Sequence, residues 1–168
     1  KNFKEQILSW LDQYNPDVVL VKTFPFLIPG EAVARPKYGF INFHYAPLPH
    51  WRGPNPLFWM IRNQETAGGI TIHRMNKDFD DGPVLMEQPV PRAPDINFGL
   101  YYTQLAYVGS SLTAPLLHGL LQGTLTEKQQ DSSQAKWYRR PQPSDLFIDW
   151  NKMDAAELKA LVKACNPW

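Results

Sequence analysis

The sequence has little cysteine, little net charge and no long apolar run. Its single cysteine, Cys165, excludes an internal disulfide framework and suits a reducing compartment. The net charge of +1 argues neither for nor against nucleic-acid binding, because such binding depends on a local basic patch. No apolar run reaches the roughly 18 residues of a membrane-spanning helix, and the first residues show no signal-peptide pattern. We therefore expect a cytoplasmic protein with no membrane contact.

The composition is that of one globular domain. Hydrophobic residues make up 43% of the 168 positions and charged residues 20%, which excludes a disordered chain. Proline is abundant, with 16 residues, nearly twice its usual share of roughly 5%. We expect these prolines to mark many loops.

The first part of the chain has the pattern of a helix followed by two buried strands. Asn2 and Glu5 resemble a capping box at the start of an amphipathic helix that continues to Tyr14. Two short apolar runs follow, at 18–21 and 39–44, and continuous runs of this kind are typical of strands buried on both faces. This order predicts an α/β fold with a parallel sheet.

The middle of the chain adds two helices and two strands. A helix is predicted over 54–64, and strands are predicted at 69–75 and 84–90, whose turn-rich connection indicates an antiparallel pair. The apolar stripe of 100–121 predicts a long helix that Pro115 should kink or divide.

The last part of the chain is more polar. Residues 124–147 are loop-like, with 129–134 the stretch expected to be most flexible, and a capping-box pattern starts a final helix at Asp154. We predict a catalytic domain over 1–123, followed over 124–168 by a linker and terminal helix that lead toward a second domain. A doubly wound domain normally opens with a strand. Because this chain opens with a helix, we expect the first strand–helix units of the sheet to be missing.

Two polar residues end the second predicted strand. Asn42 and His44 are two positions apart, so their side chains project from one face, at the end of the strand where open α/β sheets bind ligands. Asp80 and Asp81 follow in the turn before the fourth strand. A histidine that faces a carboxylate is the usual arrangement of a tuned general acid or base. Hydrogen-bonded strand-end residues and ordinary Asp-Gly turn chemistry are the alternative explanations.

Four separated segments carry a resemblance to a known family. They are Asn42-Phe43-His44, Pro47-Leu48-Pro49-x-x-Arg52-Gly53, Gly69-Ile70-Thr71-Ile72-His73 and Phe79-Asp80-x-Gly82. In this order and spacing, the chain resembles the 10-formyltetrahydrofolate-dependent formyltransferases from about residue 16 to residue 123. The resemblance implies a Rossmann-like α/β sheet, mostly parallel with an antiparallel pair, and a catalytic group formed by Asn42, His44 and Asp80.

The resemblance also implies how this group acts. Asn42 would donate a hydrogen bond to the oxyanion of the transferred formyl group, and His44 would move the proton, with Asp80 as the alternative group that removes it from the amine. Asp80 would orient the His44 imidazole and raise its pKa. The formyl donor is 10-formyltetrahydrofolate, and we expect no metal because Asp80-Asp81 is the only close pair of ligand-type residues.

Further positions match binding sites of the family. Arg52, Gly53 and His73 are expected on the acceptor side of the site, where His73 would support the catalytic group. Core packing is an equal alternative for Phe24. The positions that match the pterin pocket are Phe24, Phe26, Leu27, Ile28, Asn76, Asp78 and Phe79.

The tail favours one branch of the family. Segments 138–141, 148–150 and 165–168 resemble the linker that follows the catalytic domain of methionyl-tRNA formyltransferases, so initiator methionyl-tRNA is the favoured acceptor. A sugar-nucleotide amine is the alternative acceptor, because sugar-nucleotide formyltransferases carry a similar Asp-Trp stretch. Two further functions fit the same residues: a non-catalytic binding module of the same fold, and a hydrolase that releases formate from the same donor.

Overall fold

The fold is built on a mixed sheet. The computed structural model describes residues 2–24 and 26–167, so Trp168 of the tail segment 165–168 lies outside the described residues. The strands lie side by side in the order β1 (Val19–Lys22), β2 (Phe40–His44), β3 (Gly69–Arg74) and β4 (Val84–Pro89). β1 and β2 are parallel, whereas the β2–β3 and β3–β4 pairs are antiparallel. The predicted α/β fold and its antiparallel β3–β4 pair are confirmed.

The first and last helices begin where the sequence predicts caps. The Asn2 side chain accepts a hydrogen bond from the Glu5 N–H at 2.9 Å, and Asp154 forms a reciprocal capping box with Glu157. Within the described residues, no helix is both long and apolar enough to cross a membrane. The helices are α1 (Phe3–Tyr14), α2 (Gly30–Val33), α3 (Pro56–Arg62), α4 (Phe98–Ser111), α5 (Thr113–Gln122) and α6 (Ala155–Cys165).

The sheet is less parallel than predicted, because β3 runs opposite to β2. His44 at the end of β2 lies opposite Thr71 near the start of β3. The chain therefore re-enters the sheet from the end at which it left.

The long predicted helix over 100–121 is divided, as Pro115 predicts. α4 ends at Ser111 and α5 begins at Thr113, with Leu112 between them. Pro115 has no N–H to donate to the carbonyl of Ser111, so an uninterrupted helix would lose a hydrogen bond at this point.

The apolar core lies on both faces of the sheet. On one face, helices α1 and α2 pack against Val21 and Phe40. Because side chains alternate along a strand, Asn42 and His44 project from the same face as Phe40, farther along β2. The other face packs against α4 and α5 through Ile41, Phe43, Ile70, Ile72, Tyr101, Leu105 and Leu116.

Replacing Tyr101 with Phe should lower the free energy of unfolding by about 1–3 kcal/mol. The Tyr101 side chain is fully buried, and its hydroxyl donates to the carbonyl of Val90 at 2.6 Å. Burial raises the pKa of Tyr101 to about 12, so the donor proton stays in place at all ordinary pH values. Urea unfolding measures the loss. Tyr107→Phe, at a side chain that is 81% exposed, is the matched control and should change stability little.

The polar segment after α5 packs back onto the sheet and its loops. Lys128 pairs with Val84, and Trp137 pairs with Arg52. Residues 129–134, predicted to be the most flexible stretch, instead contain a 3₁₀ turn and the side chain of Gln130, which makes four hydrogen bonds.

Candidate active site

Strand register brings the first polar residues of the site together. Asn42 on β2 lies directly opposite His73 on β3, and His44 lies opposite Thr71. All four side chains project from the same face, because directly paired residues of neighbouring strands point the same way. The pairing of β2 with β3 therefore places two histidines and an amide side by side.

Asp80 reaches this group from the turn between β3 and β4. Its backbone is in the left-handed region, with a φ of 52°. One carboxylate oxygen, Oδ1, accepts a hydrogen bond from Asn42 Nδ2 at 3.3 Å and lies 3.5 Å from both His44 Nδ1 and His73 Nε2. The other oxygen, Oδ2, accepts from the Gly53 N–H at 2.9 Å. Asp80 thus contacts both Asn42 and His44, the two residues with which it was predicted to form one group.

The neighbours of His44 fix its protonation. The side chain is 6% exposed, and its Nε2 lies 2.6 Å from the carbonyl oxygen of Trp51. A carbonyl only accepts, so Nε2 carries the hydrogen and, in the neutral ring, Nδ1 carries the lone pair. Burial lowers the pKa of His44, and this effect outweighs the opposing effect of the Asp80 charge. Asp80 does raise the pKa of His44, as predicted, but desolvation of the ring has the greater influence, so the pKa lies below its ordinary value.

His73 holds Asn42 from the other side. Its Nδ1 lies 2.9 Å from the carbonyl oxygen of Arg74 and therefore carries the hydrogen. Its Nε2 is then free to accept from Asn42 Nδ2, which lies 3.2 Å away. Both amide hydrogens of Asn42 are consequently engaged, one by His73 and one by Asp80.

Asp80 is held in its ionised form. Burial alone would raise the pKa of its carboxyl group, but the neighbouring His44 and His73 side chains and the hydrogen bond from the Gly53 N–H lower it to about 2. One pKa unit corresponds to about 1.4 kcal/mol. The shift from 3.8 to about 2 therefore contributes about 2 kcal/mol to stability, present above the unfolded-state pKa and lost as the pH falls through the folded-state value.

Acidification should destabilise the protein already below about pH 6.5 through His44. The unfolded chain takes up a proton there near the ordinary pKa of 6.5, whereas the folded protein keeps the imidazole neutral to a lower pH. Since the unfolded state then binds more protons, the free energy of unfolding falls as the pH falls. Urea unfolding between about pH 7.5 and 5.5 should show this slope in the wild type and a flatter slope in His44→Gln.

His50→Gln is the control for that measurement. The His50 side chain is exposed, so its loss should leave the pH slope of stability at the wild-type value. A His44→Gln slope equal to the wild-type slope would contradict the assignment of His44 as the group responsible.

A cavity of about 420 Å³ opens beside Asn42, His44 and Asp80. Among the positions matched to the pterin pocket, Ile28 is instead buried in the core between α1, α2 and the sheet, and Asn76 is not part of the lining, its side chain accepting from the Asp78 N–H at 2.9 Å. Gly53 and His73 line the cavity, but Arg52 does not. The remaining matched positions line the cavity: Phe24, Phe26, Leu27, Asp78 and Phe79.

Arg52 is engaged elsewhere. Its guanidinium forms an ion pair with Asp81 and donates twice to Gln130. Within the described residues, no group of three or more His, Cys, Asp or Glu side chains is arranged to hold a metal ion.

The comparison with protein families identifies the family to which this chain belongs. A family model described as "Formyl transferase" matches residues 1–113 of the 168. The chain belongs to the formyl transferase family. The resemblance inferred from the four separated segments is thereby confirmed.

Individual relatives of this formyl transferase chain agree with the family match. The methionyl-tRNA formyltransferase of Lachnospira eligens is 34% identical over 164 residues, which are 98% of this chain and 52% of the relative. That of Geotalea uraniireducens is 35% identical over 163 residues, which are 97% of this chain and 52% of the relative. The chain spans about half the length of the curated relatives it matches.

Solved structures share the fold. HypX from Aquifex aeolicus in complex with tetrahydrofolic acid superposes with a TM-score of 0.86 and 20% identity, over 98% of this chain and 28% of that one. A 4-N formyltransferase from Francisella tularensis superposes with a TM-score of 0.83 and 20% identity, over all of this chain and 69% of that one.

Sequence reasoning missed two site residues of this formyl transferase. Trp137 lines the cavity and contacts the ring of Phe79, with 5.7 Å between ring centroids. Gln130 donates to the backbone carbonyls of Asp80 and Gly82. Both residues belong to the polar segment after α5, where no hydrophobic periodicity and no motif indicates contact with the turn between β3 and β4. The only feature of the sequence that suggests such packing is a tryptophan within a polar stretch.

Proposed function

We propose that this chain carries the catalytic group of an N-formyltransferase that moves a formyl group from 10-formyltetrahydrofolate to an amine, with methionyl-tRNA as the acceptor. One observation carries the proposal: Asn42, His44 and Asp80, which are distant in sequence, meet at the wall of one cavity. The proposal places the protein in the cytoplasm, where its single cysteine, Cys165, would remain a thiol.

The cavity suits a folate. Its volume of about 420 Å³ lies within the range of roughly 300–1,000 Å³ of small-molecule sites. The Phe24, Phe26 and Phe79 side chains are each at least 40% exposed at its wall, and such aromatic surface suits a flat heterocycle. Asp78 adds a polar group at the same wall. We place the pterin among these side chains, and the bound folate would supply the formyl group at the catalytic end.

Asn42 is placed to stabilise the charge that develops during transfer. Attack of an amine on a formyl group puts negative charge on the formyl oxygen, and a fixed N–H donor is the usual means of stabilising it. Since both hydrogens of Asn42 Nδ2 are already engaged, the formyl oxygen competes with His73 or Asp80 for one of them. The amide is therefore held in position before the substrate arrives.

His44 and Asp80 are placed to remove the proton of the amine. The neutral His44 ring has its lone pair on Nδ1, which faces Asp80 Oδ1 at 3.5 Å. A lowered pKa keeps this nitrogen unprotonated at neutral pH, so it can accept a proton. The ionised Asp80 then stabilises the imidazolium that forms, and the imidazolium gives the proton to the folate nitrogen as the bond between that nitrogen and the formyl carbon breaks.

Sequence identity favours methionyl-tRNA as the acceptor. Relatives named methionyl-tRNA formyltransferase are 30–35% identical over 91–98% of this chain. Sugar N-formyltransferase structures are 18–21% identical and support the fold alone.

The experiment is a formyl-transfer assay on the full natural polypeptide with 10-formyltetrahydrofolate. Methionyl-tRNA, an amino-sugar nucleotide and no acceptor are the three arms. We expect formylmethionyl-tRNA as the product, its loss in His44→Ala and its retention in His50→Ala, which changes an exposed histidine.

Any different outcome of the assay identifies a different function. A formylated sugar nucleotide without formylmethionyl-tRNA would replace the acceptor, and release of formate in all three arms would indicate a hydrolase. Calorimetric binding of a stable folate analogue without any turnover would indicate a binding module.

A further inference from the structure

The Gln130 side chain spans two loops of the active site. Its Nε2 lies 2.9 Å from the carbonyl oxygen of Asp80 and 2.8 Å from that of Gly82. Its Oε1 lies 3.2 Å from Arg52 Nε and 2.8 Å from Arg52 Nη2. One amide thus connects the turn that carries Asp80 with the loop that follows β2.

The partners of this amide leave it one orientation. Carbonyl oxygens only accept and a guanidinium only donates, so the NH₂ group has to face Asp80 and Gly82 and the oxygen has to face Arg52. In this orientation, each of the four contacts of the Gln130 amide pairs a donor with an acceptor. If the amide were flipped, its NH₂ group would face the Arg52 donors and its oxygen would face the two carbonyl oxygens, so all four contacts would be repulsive.

The two carbonyls that Gln130 holds fix the backbone on either side of Asp81. Asp80 itself is in the left-handed region, with a φ of 52°, a conformation that is uncommon for non-glycine residues, although aspartate adopts it more often than most. The turn also lies tightly on β3, because a Cβ at Gly82 would come within 1.9 Å of the carbonyl oxygen of Arg74. The direction of the Asp80 side chain therefore depends on contacts that hold this turn.

The contacts of Arg52 position the Gly53 N–H, which donates a hydrogen bond to Asp80. Arg52 is also in an ion pair with Asp81, and its own N–H donates to the Lys136 carbonyl at 3.0 Å. The next residue is Gly53, whose N–H donates to Asp80 Oδ2 at 2.9 Å. Gln130 and Arg52 together hold the donor and the acceptor of that hydrogen bond in register.

From these contacts we infer that Gln130 is a positioning residue for formyl transfer: by bonding the Asp80 and Gly82 carbonyls it holds the Asp80 carboxylate against His44, Asn42 and the Gly53 N–H. The inference rests on the proposed function for its kinetic consequence. Its structural consequence, the environment of the Asp80 carboxylate, can be measured without turnover.

Two substitutions separate the halves of the Gln130 amide. Gln130→Met keeps the approximate length of the side chain but removes both its donor and its acceptor. Gln130→Glu keeps an acceptor for Arg52 and removes the donor to the Asp80 and Gly82 carbonyls. We expect kcat to fall about 10- to 100-fold in both variants, the usual cost of a small displacement of a catalytic group, with the KM for the formyl donor little changed. Gln129→Met, at the exposed neighbouring glutamine, should keep wild-type kinetics.

Carboxyl ¹³C NMR on the same full-length variants gives the readout that does not depend on activity. In the wild type, Asp80 should remain ionised down to about pH 3.5. In Gln130→Met and Gln130→Glu it should begin to protonate above that pH, because the hydrogen bonds that favour the carboxylate are weakened. A loss of thermal stability alone would not move this titration.

The two measurements distinguish the failure of the inference from the failure of the proposed function. Unchanged Asp80 titration and unchanged kcat in both variants would overturn the inference. A wild-type kcat in Gln130→Glu would also overturn it, since contact with Arg52 would then suffice. If the wild type transfers no formyl group but the Asp80 titration still shifts in both variants, the proposed function fails and the positioning of Asp80 by Gln130 stands.

Discussion

Replacing Asp80 with Asn should reduce kcat for formyl transfer by about 10²- to 10⁴-fold, the usual contribution of a positioned acid–base group. The substitution keeps the size of the side chain but removes its charge. His44, 3.5 Å away, then loses the carboxylate that stabilises its protonated form. The amide of the variant also presents only one acceptor oxygen, whereas Asp80 accepts from Asn42 and from the Gly53 N–H through two.

The steady-state rate measures this loss, with Asp17→Asn as the control. Asp17 is an exposed aspartate before β1, and its substitution should leave the rate unchanged. A second signature accompanies the loss: because the pKa of Asp80 is about 2 in the folded protein, Asp80→Asn should remove part of the acid destabilisation below about pH 4. Wild-type turnover in Asp80→Asn would contradict its role.

Replacing Asn42 with Ala should lower kcat about 10²- to 10³-fold, the typical cost of one lost oxyanion donor. The KM for the formyl donor should change little, because the amide acts on charge that exists only in the transition state. The Asn42→Ala substitution would also leave His73 Nε2 and Asp80 Oδ1 without their present donor, so the variant is tested for folding by urea unfolding before the kinetics are compared.

Asn151→Ala is the control for the Asn42 substitution. Asn151 is exposed in the segment that precedes α6, and the variant should show wild-type kcat and KM. A rise in KM at an unchanged kcat in Asn42→Ala would instead mean that the amide binds the ground state, which contradicts its assignment as an oxyanion donor.

Much of the site could be predicted because it depends on local pattern. Period-two alternation along β2 is enough to place Asn42 and His44 on one face, and the resemblance supplied Asp80 as their partner. The pKa of His44 could not be predicted in the same way. Its direction depends on whether burial or the Asp80 charge has the larger effect, and sequence does not give the extent of burial.

The remaining differences come from long-range packing. The antiparallel direction of β3 depends on the path of the connection that follows β2. The Arg52 side chain contacts Asp81 and Gln130 rather than the cavity. Gln130 and Trp137 carry no periodic signal, because their contacts are made with loops about 50 residues away or more. A pattern confined to neighbouring positions contains no information on such partners.

The return of the polar segment onto the active-site loops has a consequence for how the site is assembled during synthesis. All four strands and helices α1 to α5 precede Gly123, so the sheet can form while the ribosome is still adding the residues that follow. The turn bearing Asp80 acquires its last supports only when Gln130 and Trp137 emerge. A polypeptide shortened to end at Gly123 would therefore retain the four strands of the described residues and yet lack two side chains that support the turn carrying Asp80.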